Sequence, residues 1–490
     1  MTPEEFRRYG RQVVDRIADY LHSIESYPVR SPARPGEVRA ALPEHPPEEG
    51  EPFENVLADL DRVVLPGLTH WQHPSFFAYF PANTSGPAIL GDLLSSGLGV
   101  QGMVWATSPA CTELETVVVD WLAELLGLPS SFRTDAAGGG VIEDSASSAS
   151  LVALLAALHG AGGGAPRAPG TADAGRYTLY VSSQTHSSLE KAARIAGLAP
   201  DDVRFVDVDP ATLAMDPAHL DALLTADVAA GARPAMVCAT IGTTSTTAID
   251  PVRRIGEVCR AHGVWLHVDA AYAGVAAVCP ELRGINDGVA GYADSYVTDP
   301  HKWLLTNFDC SVLWTADRTP MIEALSILPE YLRNAATSSG EVIDYRDWQI
   351  PLGRRFRALK LWSVIRWYGA EGLRAHIRRG IGLADELAAL VAADPRFEVV
   401  TPHPFGLVCI RPVWSDEADR PLPAGRANEA TTALLERLNA SGELYLSHTR
   451  VGEDVVLRMA IGAPATERVH VLAAWDHVTA EYDRLAAEGA

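Results

Sequence analysis

Between about residues 110 and 320 the chain alternates short apolar runs with helix-like segments, and this alternation constrains the fold more than any other feature. The runs YTLYVS (177–182), AMVCAT (235–240), VWLHVD (264–269) and DSYVTD (294–299) read as strands. Segments with helical patterning, such as PVRRIGEVCRAHG (251–263), separate several of them. Strands apolar along their whole length are buried on both faces, so the pattern implies a largely parallel sheet covered by helices on each side. Ligands of such sheets sit beyond the carboxyl ends of the strands. Three of these runs end on Thr240, Asp269 and Asp299.

The flanking regions read differently. Residues 1–85 read as helices joined by the Pro-rich ALPEHPPEEGEP (41–52). Phe6, Val13, Ile17, Tyr20 and Leu21 recur at roughly helical spacing. A segment with one apolar stripe and little core of its own is expected to pack on something else, such as a partner subunit. Thr112 with Glu115 reads as a capping box before ELETVVVDWLAELLG. Residues 160–175 form a low-complexity loop whose loose G-x-G-x-x-A match follows a helix; a dinucleotide fingerprint requires a preceding strand, so that reading is rejected. Residues 328–345 read as a mobile surface loop. Beyond about residue 379 a helix, the strand-like RFEVVT, FGLVCIRP, ELYLSH and DVVLRMAIG, and a closing helix suffice for a small α/β domain. The expected division is therefore 1–85, 86–378 and 379–490.

Composition excludes several classes of function. A formal net charge of −22 argues against nucleic acid or an anionic membrane as partner. No run of about 18 apolar residues marks a membrane span. Six cysteines without CxxC spacing point to reduced thiols in a cytoplasmic protein, and no metal-ligand pattern stands out. Of the 40 basic residues only Lys191, Lys302 and Lys360 are lysines, so chemistry that needs a primary amine has three candidates.

Lys302, in DPHKWLL, follows a strand end and precedes an aromatic and two leucines, at the edge of a core. Desolvation there favours the neutral amine that Schiff-base chemistry requires, although a lysine snorkelling to solvent satisfies the same position. Lys191 reads as solvent-facing, and Lys360 as an ion-pair lysine within a helix. Asp269 ends a buried strand and needs a cationic partner, either an arginine or a protonated pyridine nitrogen. The second pairing is worth roughly 4 kcal/mol at about 4 Å. Gly138–Gly140 and the residues through Ser145, Ala146 and Ser147 open a helix, where serines cap and free N–H groups attract an anion. His186, just past a strand, suits capping or stacking on a planar ring. In order, these residues supply a phosphate cradle, a stacking face, a pyridinium partner and an amine, the parts a protein contributes to pyridoxal phosphate.

The chain resembles the aromatic-L-amino-acid decarboxylases (dopa, tryptophan and tyrosine decarboxylases) among the group II pyridoxal-phosphate decarboxylases. The resemblance runs from about residue 4 to residue 480. It rests on EFRRYG, HPSFFAYFP (73–81), SPACTELETVVVDWL (108–122), HVDAAYAG (267–274), DPHKWLLTNFDCS (299–311) and DYRDWQIPLGRRFRALKLW (344–362). It implies an α/β, aspartate-aminotransferase-like fold of type I and a homodimer with interfacial active sites, the N-terminal segment wrapping over the partner. It makes Lys302 the lysine that carries pyridoxal 5'-phosphate, Asp269 the pyridinium partner and His186 the stacking residue. Ala146, Ser147, Thr240, Ala271 and His301 would line the cofactor. Tyr331, in LPEYL, would return a proton to the substrate carbon after CO2 leaves.

The resemblance also implies a substrate pocket of Trp71, Tyr79, Phe80, Pro81, Ala82, Gln101, Met103 and Gly353. There the chain departs from the animal dopa decarboxylases. Ala82 stands where a threonine contacts substrate, and Gln101 and Met103 replace an apolar and an aromatic residue. Asp299 stands where asparagine is common; a carboxylate near a phosphate is unfavourable unless it points away or is hydrogen-bonded. Gly353 is similar to the glycine that accompanies indolic substrates in plant relatives, so tryptophan or 5-hydroxytryptophan is expected ahead of tyrosine, dopa and phenylalanine. The rival on the same scaffold is an aromatic acetaldehyde synthase, whose members carry Phe for the loop tyrosine or an altered stacking histidine; here Tyr331 and His186 are both present. A cofactor-free dimeric scaffold would need the lysine or aspartate lost, and neither is.

Overall fold

The computed structural model describes residues 1–163, 175–327, 336, 341–416, 418 and 420–488. Two compact units result. One comprises Met1–Pro81, Leu383–Val400 and Val408–Ala490, the other Ala82–Gly382 and Thr401–Leu407.

The larger unit is built on a seven-stranded sheet. Its strands are β1 (Gly139–Glu143), β2 (Tyr177–Ser182), β3 (Val203–Val206), β4 (Arg233–Thr240), β5 (Trp265–Asp269), β6 (Ser295–Thr298) and β7 (Ser311–Thr315), in spatial order β1-β7-β6-β5-β4-β2-β3. Strand β7 runs antiparallel to both neighbours, and the other pairings are parallel. The four runs anticipated from apolar content are β2, β4, β5 and β6. β1 begins within the glycine run 138–140, whose residues answer to close approach and not to strand propensity: a Cβ on Gly138 would lie 2.0 Å from Thr315 O, and one on Gly140 2.7 Å from the Trp314 ring.

The helix Ala146–Ala161 packs Val152, Leu154 and Leu158 into one core with Leu179 and Val181 of β2 and Met236 of β4. These side chains are at most 1% exposed, each worth about 1.5–3 kcal/mol on burial. The helix Pro109–Leu126 corrects the expected capping box. Pro109 occupies its first turn and Ser108 accepts from Cys111 N–H, so the helix starts four residues early. Thr112 is then an interior, buried position, and the Glu115 carboxylate turns inward to Arg354.

In the smaller unit the helix Pro3–His22 opens on a capping box between Thr2 and Glu5. The strands β8 (Phe397–Val399), β9 (Leu407–Pro412), β10 (Ser447–Val451) and β11 (Asp454–Ala460) pair in the order β10-β11-β9-β8. The helices Ala424–Ala440 and Arg468–Ala487 contribute Leu434, Leu438, Val471 and Val478 to the core that includes Val408 and Leu457. Most of ELYLSH precedes its strand, because β10 is placed by the hairpin turn at Gly452 (φ 59°). No helix among the described residues is long and apolar enough to cross a membrane.

Candidate active site

Thr240, Asp269 and Thr298 end three adjacent strands, β4, β5 and β6, whose axes lie about 4.8 Å apart. The carboxyl edge of the sheet therefore gathers residues far apart in sequence. Asp269 Oδ1 accepts the Ala271 N–H (3.0 Å), which turns the chain away from β5. Asp299 N–H donates to Ala271 O (2.9 Å) and ties the end of β6 to that turn. A short helix, Pro300–Trp303, follows. Trp303 and Leu304 are fully buried and Trp303 stacks on Tyr272 at 5.0 Å, whereas the Lys302 side chain keeps 29% of its surface. A lysine at the edge of a core is thus what the structure holds.

Lys302 Nζ lies 2.8 Å from Asp299 Oδ2. His301 faces the same oxygen: its Nδ1 accepts the Cys310 N–H (2.9 Å), which leaves the proton on Nε2, 3.5 Å from Asp299 Oδ2. His186 is fixed similarly, with Nδ1 accepting from Ser188 N–H (3.3 Å) and lying 2.9 Å from the Ser188 hydroxyl. Burial holds both imidazoles below the usual histidine range, and His186 feels the charges of Asp269, Lys302 and Asp299. Asn83 secures the lysine turn: its N–H donates to His301 O (2.9 Å) and its Oδ1 accepts from Leu305 N–H (3.0 Å). Nothing local marks Asn83, and its role was not legible in the sequence.

β1 delivers the helix Ala146–Ala161 to the same edge, since β1 runs parallel to β6 across β7. Ser145 caps it, accepting from Ser148 N–H (3.3 Å), so its hydroxyl is committed to the helix. The N–H groups of Ala146 and Ser147 have no acceptor within the helix, and Ser147 is exposed. Glu143, at the end of β1, is fully buried and pushed up to about 8 by that burial. Its folded-state proton affinity exceeds the ordinary value of 4.5, so its stabilising contribution is present below pH 4.5 and is lost as pH rises through 8. Glu143→Gln is expected to flatten that loss, with the gain over the parent reaching the order of 4 kcal/mol near pH 8 in denaturant titrations. Parallel stability–pH curves for the two chains would refute it.

Of the anticipated pocket residues, Gln101 and Gly353 line one cavity of about 270 Å³, with Ser95, Val100 and Arg354. Met103 O accepts the Arg346 N–H (3.0 Å), and Ala82 adjoins Asn83 at the lysine turn. Trp71, Tyr79, Phe80 and Pro81 belong to the smaller unit, where Trp71 stacks on Tyr79 at 5.7 Å and 14°. Tyr331 lies outside the described residues. Lys191 is exposed, and Lys360 is wholly buried between Asp92 (3.7 Å) and Asp309 (3.8 Å), the ion-pair use expected of it.

The edge has the parts for an anionic, aromatic, aldehyde-bearing cofactor. Thr240 Oγ1 is buried without a hydrogen-bond partner, two helix N–H groups are free of helical acceptors, and the amine and carboxylate of Lys302 and Asp269 approach from neighbouring strands. The model of the pyridoxal-dependent decarboxylase conserved domain matches residues 35–413. A phenylacetaldehyde synthase of Arabidopsis thaliana is 48% identical over 482 residues, 98% of this chain and 96% of the relative. Tryptophan decarboxylase 2 of Oryza sativa subsp. japonica is 45% identical over 478 residues, 97% of this chain and 94% of the relative. The crystal structure of Oryza sativa TDC with PLP and tryptamine superposes with a TM-score of 0.95 at 42% identity, covering 99% of both chains. Fold and site together define a pyridoxal-phosphate carboxy-lyase of fold type I. Within that class the chain belongs to the group II decarboxylases, in the aromatic-L-amino-acid decarboxylase family that its motifs resemble.

Proposed function

We propose that the chain removes the α-carboxylate of an aromatic L-amino acid to give the arylalkylamine and CO2, with Lys302 as the amine that holds pyridoxal phosphate. The single observation that carries this reading is Lys302 itself, a partly exposed lysine at the carboxyl edge of the sheet, one strand from Asp269. When bound, the cofactor supplies an electron-accepting ring conjugated to the substrate α-carbon. The chain's residues do the rest. Asp269 is the counter-ion for a protonated ring nitrogen, and His186 offers a neutral ring face for stacking. The free N–H groups of Ala146 and Ser147, with Thr240, Ala271 and His301, hold and orient the phosphate and ring. Tyr331 is assigned the return of a proton to the α-carbon on the motif match alone.

Tryptophan and 5-hydroxytryptophan stand first among substrates because Gly353 leaves space. A Cβ there would meet only Gln101 Oε1, at 3.5 Å. Gly353→Leu is expected to lower kcat/KM for tryptophan about tenfold relative to tyrosine, the effect of extra methylenes in a binding pocket. Equal kcat/KM ratios before and after the change would remove Gly353 from the specificity argument.

The active form is proposed to be a cytoplasmic homodimer with active sites at its interface. Supporting this, the helix Gly86–Leu98 exposes Leu90, Leu93, Leu94 and Leu98, each at least half open, which is costly for a surface without a partner. The six cysteines are buried and unpaired, in keeping with a reducing compartment. A second reading, oxidative conversion to the aryl acetaldehyde, is favoured by the 48% identity to a phenylacetaldehyde synthase. Product analysis over the aromatic amino acids separates the two. Amine and CO2 in equal amounts are expected, and aldehyde with stoichiometric ammonia and peroxide would overturn decarboxylation in favour of the second reading.

A further inference from the structure

Asp299 is the residue at this site with the least ordinary surroundings. Its side chain is 1% exposed, yet only one of its oxygens is used. Oδ2 meets Lys302 Nζ at 2.8 Å and faces His301 Nε2 at 3.5 Å, while Oδ1 is buried with no hydrogen-bond partner. Backbone bonds lock the arrangement: Asp299 N–H to Ala271 O at 2.9 Å, and Lys302 N–H to Asp299 O at 3.0 Å. The other titratable and charged groups around the pair are His186 and Asp269, and beyond His301, Asp309 and Lys360.

A lysine amine becomes a nucleophile only after losing a proton. At its ordinary pKa of about 10.4, roughly one in a few thousand lysines is neutral at pH 7. Asp299 lies at hydrogen-bond distance from that proton. We propose that Asp299 is the proton carrier of Lys302, taking the ammonium proton onto Oδ2 when the amine is needed and returning it when the amine is released. In the transfer an Nζ–H bond breaks and an Oδ2–H bond forms; the ion pair becomes two neutral groups and no net charge changes. Entry of a cofactor excludes water, and a drier pocket favours the neutral pair over the ionic one. The transfer also removes the negative charge from Asp299 just as an anionic phosphate enters, so the carboxylate at this position ceases to oppose cofactor binding.

The proposal rests on Lys302 being the cofactor-holding amine, and its test reports on the two separately. The cofactor-free full-length chain is mixed with pyridoxal 5'-phosphate from about pH 6 to about pH 9. The visible absorbance of the lysine-bound cofactor follows loading, and borohydride reduction with peptide mapping identifies the lysine. In the parent chain the label is expected at Lys302, at a rate that changes less than about threefold across the range. Asp299→Asn is expected to load about a hundredfold more slowly near pH 7, the usual scale of proton-transfer assistance. Its rate should climb about tenfold per pH unit, because the amine then depends on bulk deprotonation. Asp299→Glu, which keeps the carboxylate, should recover much of the rate and the flat profile; a structural ion pair alone would not couple the profile to the carboxylate in this way. Label at Lys302 with unchanged rate and profile in Asp299→Asn overturns the proton carrier and leaves the lysine assignment standing. No label at Lys302 in the parent chain overturns both. Should the asparagine variant not fold, the parent decides: a rate that itself rises about tenfold per pH unit overturns the proposal.

Discussion

Lys302→Ala, purified with excess pyridoxal phosphate, is expected to be colourless and to show no turnover above background on any aromatic amino acid. The other two lysines offer no substitute: Lys191 is exposed on the helix Ser188–Ile195, and Lys360 is sealed between Asp92 and Asp309. The change also strips the cation from a carboxylate that is 1% exposed. A buried carboxylate left without its cation costs about 3–5 kcal/mol, so the alanine chain should also unfold at lower denaturant. Lys302→Arg separates the two effects. It keeps a cation beside Asp299 but no amine, so much of the stability should return without colour or turnover. Visible absorbance, product assay and urea unfolding on the three chains check this, and an alanine variant that keeps its colour would remove Lys302 from the chemistry.

The second large effect concerns Glu115 and Arg354, 1% exposed or less, joined by two hydrogen bonds of 2.6 and 2.9 Å. The pair does more than neutralise itself. β1 is an edge strand, and Ile142 turns its N–H and C=O away from the sheet; Glu115 Oε1 accepts the first at 2.8 Å and Arg354 Nη2 donates to the second at 3.0 Å. A buried strand edge must satisfy these groups, and the ion pair does so in place of another strand. Arg354→Met is expected to cost about 3–5 kcal/mol in urea unfolding, because Glu115 is left charged and buried. The double variant Glu115→Gln, Arg354→Met should recover more than half of that loss, since neither charge remains. β1 leads directly to the Ser145–Ser147 helix start, so the single variant should bind pyridoxal phosphate more weakly as well. A loss under about 1 kcal/mol would show that water reaches this edge and screens the charge.

Local chemistry carried the sequence a considerable way. Apolar runs located β2, β4, β5 and β6, and singled out Thr240 and Asp269 at strand ends and Lys302 just past one as candidates. The misses share one cause. β1 is glycine-rich because Thr315 and Trp314 crowd it, a demand set by β7 more than 170 residues away. Thr112 and Glu115 have the spacing of a capping box, but Pro109 and Ser108 had already begun the helix, and Glu115 answers to an arginine 239 positions on. Asp299 was legible as an anomaly beside a phosphate site. That it faces Lys302, with His301 oriented by Cys310, depends on how the turn 299–303 folds back against β7.

The sequence by itself determined the sheet class and the family, because strand burial and motif identity are properties of short segments. Only the tertiary structure decided which carboxylate neutralises which cation. Burial makes a charge costly wherever it falls, and the partner that relieves the cost is chosen by proximity in space: three residues away for Lys302, 239 for Glu115.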